Sequence, residues 1–235
     1  MKKIKYKGLS TLEVLEGANN YNNWIAYEIL RFVKNPIIEI GSGTGNLSEK
    51  FLNYGQVLLS DNDNGLVKVL NDRFKHFKNG SSIRLDIEKD VDSKYYNTFR
   101  SVIAVNVLEH IDDDRTAIKN IGKLLKKGGT VNLLVPAKRL AYTRLDRELG
   151  HYRRYEKNEL YELLRSAGFS VDQLYFFNVV GLVSWIVRDK VEKSSFQLKP
   201  YQVALFDKIV PLLRFVETRI RPPIGISLIA VATKK

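Results

Sequence analysis

Two groups of residues in this chain have the types and spacing to do chemistry. The first is Gly41-Ser42-Gly43-Thr44-Gly45, with Glu39 two residues ahead, Asp61 and Asn62 about one βα unit later, and Asp86 beyond them. Glycines at alternate positions let a backbone turn sharply and approach a ligand closely. An acid at the end of the next strand is where a nucleotide-binding unit grips ribose hydroxyls. The G-x-G-x-x-G fingerprint of dinucleotide sites is not completed, because Asn46 stands at its sixth position. The second group is Gly150-His151-Tyr152-Arg153-Arg154-Tyr155, with Asp146 and Glu148 just before it and His110 upstream. A histidine can take a proton near neutral pH, and paired arginines bind carboxylate or phosphate in bidentate fashion. This pattern nominates His151 as general base, with His110 second. It makes Arg153 and Arg154 readers of negative charge, and Tyr152 and Tyr155 packing surfaces for an acceptor.

The elements that must position these groups alternate between strand and helix. Ile37–Ile40, Gln56–Ser60, Ser82–Leu85, Ser101–Val105 and Thr130–Pro136 read as short, mostly apolar strands, of the kind buried in a parallel sheet. Helices are predicted from near Leu47, over Gly65–Phe77, and over Thr116–Leu125. Asp112 or Asp113 caps the last of these, and Lys126-Lys127-Gly128-Gly129 closes it with a glycine C-cap. A helix over Lys157–Ala167 and a strand over Phe169–Phe177 follow, and Ile226–Ala232 reads as the final strand. Between these strands, 179–193 and 201–220 are expected to form an added helical cap. At the other end, Leu9–Val33 reads as helix with a break in the Asn-rich centre.

Composition bounds the partners. The chain has 235 residues, enough for one α/β domain, and its formal charge of +12 favours an acidic partner. Cysteine is absent, which excludes thiolate nucleophiles, disulfides and cysteine metal sites. No apolar run follows the basic start Met1–Lys5, so no signal peptide is read and the cytoplasm is the expected compartment.

The glycine loop with its acids, then Asn106-Val107-Leu108-Glu109-His110-Ile111, a helix, Lys127-Gly128-Gly129 and an apolar strand, resembles in order and spacing the motifs of class I S-adenosylmethionine (SAM) methyltransferases. The Gly150–Tyr155 run is similar to a segment of a bacterial small-molecule subgroup, some members of which are fused to glycosyltransferases. The resemblance implies a Rossmann-like seven-stranded sheet of order 3-2-1-4-5-7-6, its last strand antiparallel, with helices on both faces. It implies one domain over 1–235, with a helical lid at 1–35, a SAM-binding core at 36–136, and an acceptor segment, helical cap and last strands at 137–235. In such a lid Tyr21, Asn22 and Trp24 are candidate pocket residues, packing of Tyr21 and Trp24 on the core being the alternative. SAM would be held by Glu39, Gly41, Ser42, Gly43, Gly45, Asp61, Asn62, Asp86, Ile87 and Asn106. The acceptor site would lie between the Asn106–His110 turn and the Asp146–Tyr155 segment.

The reaction implied is O-methylation, by in-line methyl transfer, of a small or carrier- or lipid-linked acceptor bearing a carboxylate or phosphate. RNA modification and non-catalytic SAM binding are the alternatives. Cytosine C5 methylation needs a cysteine, and base amino methylation usually carries [DNS]-P-P-[YFW] where Asn106-Val107-Leu108-Glu109 stands. Nucleic acid is therefore not the expected partner. Some quinone-biosynthesis O-methyltransferases resemble the chain at Leu108-Glu109-His110 and use acids and histidine there, but Asn106 replaces the acid expected earlier, and no metal is expected. The basic, partly apolar 179–220 region is a candidate for peripheral contact with an anionic membrane or for homodimerisation.

Overall fold

The computed structural model describes residues 9–191 and 199–235. Seven strands form one sheet: β1 (Ile37–Ile40), β2 (Val57–Asp61), β3 (Gly80–Arg84), β4 (Phe99–Val105), β5 (Leu125–Pro136), β6 (Phe169–Phe177) and β7 (Ser227–Lys234). Their order is β3-β2-β1-β4-β5-β7-β6. β1 to β5 pair in parallel, and β7 inserts antiparallel between β5 and β6. This is the order that the resemblance implies, and the chain's alternation fits its parallel part, since a parallel neighbour needs a crossover connection to return it to the same edge.

Those crossovers are α3 (Ser48–Tyr54), α4 (Asn64–Phe74) and α5 (Asp114–Leu124), with α7 (Lys157–Ser166) leading into β6. Two apolar clusters form, one on each face of the sheet. One joins α5 and α7 to β4, β5 and β7 through Ile118, Ile121, Leu160 and Leu164. The other includes α3, α4 and α2 (Asn19–Leu30), through Phe51, Leu70, Trp24 and Ile29. The N-terminal stretch does break. α1 (Leu9–Glu16) ends before Gly17, and the asparagines fall in the first turns of α2, where side-chain amides are tolerated. α8 (Val179–Val191) and α9 (Pro200–Ile220) form the added helical layer, and α9 packs on α2. The expected helix beyond residue 191 lies outside the described residues.

One local expectation is corrected. Lys126-Lys127-Gly128-Gly129 does not cap α5 but lies inside β5. Leu125 already has strand dihedrals and pairs with Phe99, and a register shift between Phe99 and Ser101 absorbs the extra residues. Gly128 takes φ +73° there, a bulge conformation that glycine allows. The helix cap left open between two aspartates is Asp113, whose Oδ1 accepts the Thr116 N–H at 3.0 Å.

Candidate functional site

At the carboxyl ends of β1 to β4 the chain encloses a cleft of about 450 Å³. This is the edge where open α/β sheets bind ligands. The turn after β1 forms its floor. Gly41 has φ +68°, and a Cβ there would lie 2.6 Å from Val107 Cγ2, so glycine serves both conformation and space. The Ser42 N–H donates to the Ser60 carbonyl at 2.8 Å, and the Gly43 N–H donates to Asp61 Oδ2 at 3.0 Å. β1 and β2 are thereby locked at their ends. Asp61 Oδ1 accepts the Asp63 N–H at 2.9 Å. A carboxylate has about four acceptor positions, so Asp61 retains capacity for ribose hydroxyls. Glu39 lies beneath the turn, accepting from Ser48 Oγ at 2.6 Å and Ser42 Oγ at 3.0 Å. Burial pushes its carboxyl up to about 7 despite those bonds. Burial likewise raises Asp61.

The cleft's charge is one-signed. Glu39, Asp61, Asp63, Asp86 and Glu88 line it, and among the described residues no lysine or arginine does. This holds in a chain whose formal charge is +12. Such a lining favours a cationic ligand and opposes a pyrophosphate. Apolar walls complete it: Leu12 and Leu15 of α1, Ile25 of α2, Leu85 and Ile87 after β3, Val107, Ile111 and Leu149.

Of the residues nominated from sequence, Gly41, Ser42, Gly43, Asp61, Asn62, Asp86, Ile87, Asn106, Tyr21, Asn22 and His110 line this cleft, as does Glu39. Asn106 adopts φ +53°, a conformation asparagine tolerates well. Gly45 does not line it. Its φ is +89° and a Cβ would meet Phe74 at 2.5 Å, so this glycine serves the packing of the turn on α4. Trp24 is also elsewhere, buried with its ring centroid 4.3 Å from that of Phe177.

The Gly150–Tyr155 run is a clasp rather than a wall. It follows α6 (Arg144–Leu149). Arg154 is buried, and its Nε donates to Asp146 Oδ1 at 2.9 Å. An interior guanidinium needs a carboxylate, and here the protein supplies it. Arg153 pairs with Asp114 at 2.9 Å and donates to the Asp112 carbonyl at 2.7 Å. Tyr155 is buried and its hydroxyl donates to Asp114 Oδ2 at 2.9 Å. The Tyr152 ring is exposed, while its N–H donates to the Glu109 carbonyl at 2.7 Å. These contacts strap the segment onto the 106–114 loop. None of Tyr152, Arg153, Arg154, Tyr155 or His151 lines the cleft, and the arginine pair expected at the acceptor is engaged with Asp114 and Asp146 instead.

The strap nevertheless delivers His151 to His110. Their ring centroids are 4.6 Å apart in an edge-to-face arrangement. His151 Nδ1 lies 2.8 Å from Asp146 Oδ1, which leaves Nε2 as its free nitrogen. Burial and the neighbouring His151 push the pKa of His110 down to about 4, so it is neutral at pH 7. Behind both is Glu109, fully buried, with neither carboxyl oxygen hydrogen-bonded. Burial pushes it up to about 8, against the pull of Arg154. Glu109, His110 and His151 offer ligand atoms within 4.8 Å of one another and are the group among the described residues able to hold a metal. Sequence reasoning missed Asp63 and Glu88 as cleft acids. They stand two residues after Asp61 and Asp86, and that repeated acid at strand ends was the available signal.

A family model described as a methyltransferase domain matches residues 38–131. The chain is 30% identical over 128 residues to the highly reducing polyketide synthase acrA of Aspergillus aculeatus, covering 50% of this chain and 5% of that protein. It therefore spans only a small fraction of the length of that curated relative. It is 29% identical over 154 residues to the ubiquinone biosynthesis O-methyltransferase of Xanthomonas axonopodis pv. citri, covering 59% and 64% of the two chains. In fold it is similar to Haemonchus contortus phosphoethanolamine N-methyltransferase 2 in complex with SAM, with a TM-score of 0.59, 18% identity, and coverage of 89% and 52%. Residues 38–131 thus carry the likeness to a methyltransferase domain, and the seven-stranded sheet shares its fold with that SAM-bound enzyme.

Proposed function

We propose that this chain methylates an oxygen of a small or carrier- or lipid-linked acceptor that bears a carboxylate or phosphate. The observation that carries SAM as the ligand is the acidic lining, five carboxylates and no lysine or arginine among the described residues, in a basic protein. SAM carries a sulfonium and an ammonium group, and when bound it supplies an electrophilic methyl carbon. Asp61 accepts from the ribose, Asp86 and Ile87 face the adenine, and the Gly41–Gly43 backbone admits the remainder.

With the electrophile already activated, the protein's task is alignment and removal of a proton. His110 is the base the geometry favours, because it faces the cleft and stays neutral above about pH 4. As the acceptor oxygen bonds to the methyl carbon and the carbon–sulfur bond breaks, the hydroxyl proton passes to His110. His151, oriented by Asp146, stands behind it, and that carboxylate offsets positive charge arriving on the pair. His151 is thus a positioning residue in this reading. The acceptor's own negative group must stay outside the acidic lining, where like charges would repel it. The name of the Xanthomonas relative supports oxygen as the methylated atom. The Gly150–Tyr155 run supports the bacterial small-molecule subgroup.

The test is transfer of label from methyl-labelled SAM into a cell extract, with products separated by chemistry. Label is expected in an ether or ester of an acidic small molecule or lipid, and to the same extent with and without a chelator. Label in RNA or on nitrogen would contradict the acceptor assignment. Loss of transfer with the chelator, restored by a divalent ion, would place a metal in the reaction.

A further inference from the structure

We infer that the outer face of α9 docks the protein on an anionic membrane surface. α9 has 21 residues, a length of roughly 31 Å at 1.5 Å per residue. Its inner side packs Val203 and Val210 against the sheet layer, with Phe206 and Leu213 half-buried beside them. Its outer side leaves Leu205, Ile209, Leu212, Phe215, Val216 and Ile220 between 41% and 71% exposed. Among the described residues this stripe stays exposed, and one of this size is not ordinary surface.

Charge decides what covers it. The helix contains two acids, and both are turned inward. Asp207 accepts the N–H groups of Asn20 and Tyr21 at 3.1 and 2.8 Å. Glu217 accepts those of Asn178 and Val179, both at 2.8 Å. The outer face is left with apolar side chains, Thr218 and cations. Lys208 and Arg219 are exposed there, and Arg221 follows the helix. Long basic side chains beside an apolar stripe are the pattern of a helix lying in a headgroup layer, its stems buried and its charges reaching phosphates. A second copy meeting this face about a two-fold axis would set cation against cation with no carboxylate to separate them. Nucleic acid would leave the apolar stripe uncovered. Among the described residues no helix is long and apolar enough to cross a membrane, so the contact is superficial.

Docking there bears on the cleft. Asp207 of α9 holds the N–H of Tyr21, and Tyr21 lines the cleft wall. A bilayer under α9 therefore lies one helix away from α2, the element that borders the proposed SAM site, which suits a lipid-linked acceptor.

The experiment is sedimentation of the whole chain with phosphatidylcholine vesicles, with and without phosphatidylglycerol. Binding is expected only where phosphatidylglycerol is present, weakening as salt is raised. Leu212→Ser with Phe215→Ser, and separately Lys208→Glu with Arg219→Glu, are each expected to reduce binding about tenfold or more. The second pair changes only exposed charges, and circular dichroism checks both folds. Absence of binding to anionic vesicles, or equal binding by the charge-reversed variant, would overturn the inference. So would a wild-type dimer that Leu212→Ser dissociates. SAM affinity is measured on the same samples, so failure of docking is distinguishable from failure of the methyltransferase reading.

Discussion

Replacing His110 by alanine is expected to lower kcat about 100-fold or more while leaving SAM affinity within a few-fold of wild type. His110 lies at the cleft wall but is not among the acids and glycines proposed to hold the cofactor, so its loss should fall on the chemical step. The pH profile separates this role from a structural one. His110 works as the neutral imidazole, and its pKa is pushed down to about 4, first by burial and then by His151. Activity in the wild type should therefore persist to about that pH before its acidic limb falls. In His151→Ala the repulsive neighbour is gone, protonation of His110 becomes easier, and the limb should move to higher pH. A purely structural His151 would reduce activity without moving the limb. Full activity in His110→Ala would remove it as the base.

The second large effect is on stability. Glu109 is fully buried with no hydrogen-bond partner for either oxygen, and burial pushes its carboxyl up to about 8 from an ordinary value of 4.5. Below the unfolded value both states are protonated and the group has no influence. Between the two values the unfolded chain ionises while the folded one keeps its proton, so stability falls as pH rises through this window. Above about 8 both are ionised and the full cost remains. The wild type should thus lose on the order of a few kcal/mol between about pH 5 and pH 8, relative to Glu109→Gln. Comparing the two proteins at each pH cancels the opposite trend from His110, which both retain. Urea denaturation across this range is the measurement. Parallel pH dependence in the two would mean that Glu109 is not held neutral by burial.

Much of the fold was legible because its signals are local. Ile37–Ile40 before three glycines can hardly be other than a buried strand entering a tight turn. Asp61 and Asp86 are marked by their positions at strand ends. What stayed hidden depends on which partner a residue finds across the chain. Arg153 and Arg154 read as ligands for an acidic acceptor because arginine pairs suit that role. Their partners are instead Asp114 and Asp146, 39 and 8 residues away respectively. The Lys127-Gly128-Gly129 run has the composition of a helix stop, yet the sheet captures it because Leu125 pairs with Phe99. The acidic character of the cleft emerges only when the ends of three strands and the loops after them are brought together. Likewise the acids of α9 look like surface charges until the fold turns both inward.

The account rests on SAM occupying the cleft at the β1–β4 edge, and one titration tests it. Calorimetry of SAM into the wild type and into Asp61→Ala should show a saturable site in the first. In the second it should show affinity lowered by about 1.5–3 kcal/mol, the value of a hydrogen bond to a charged group. Absence of SAM binding to the wild type, or affinity unchanged by the loss of Asp61, would contradict it.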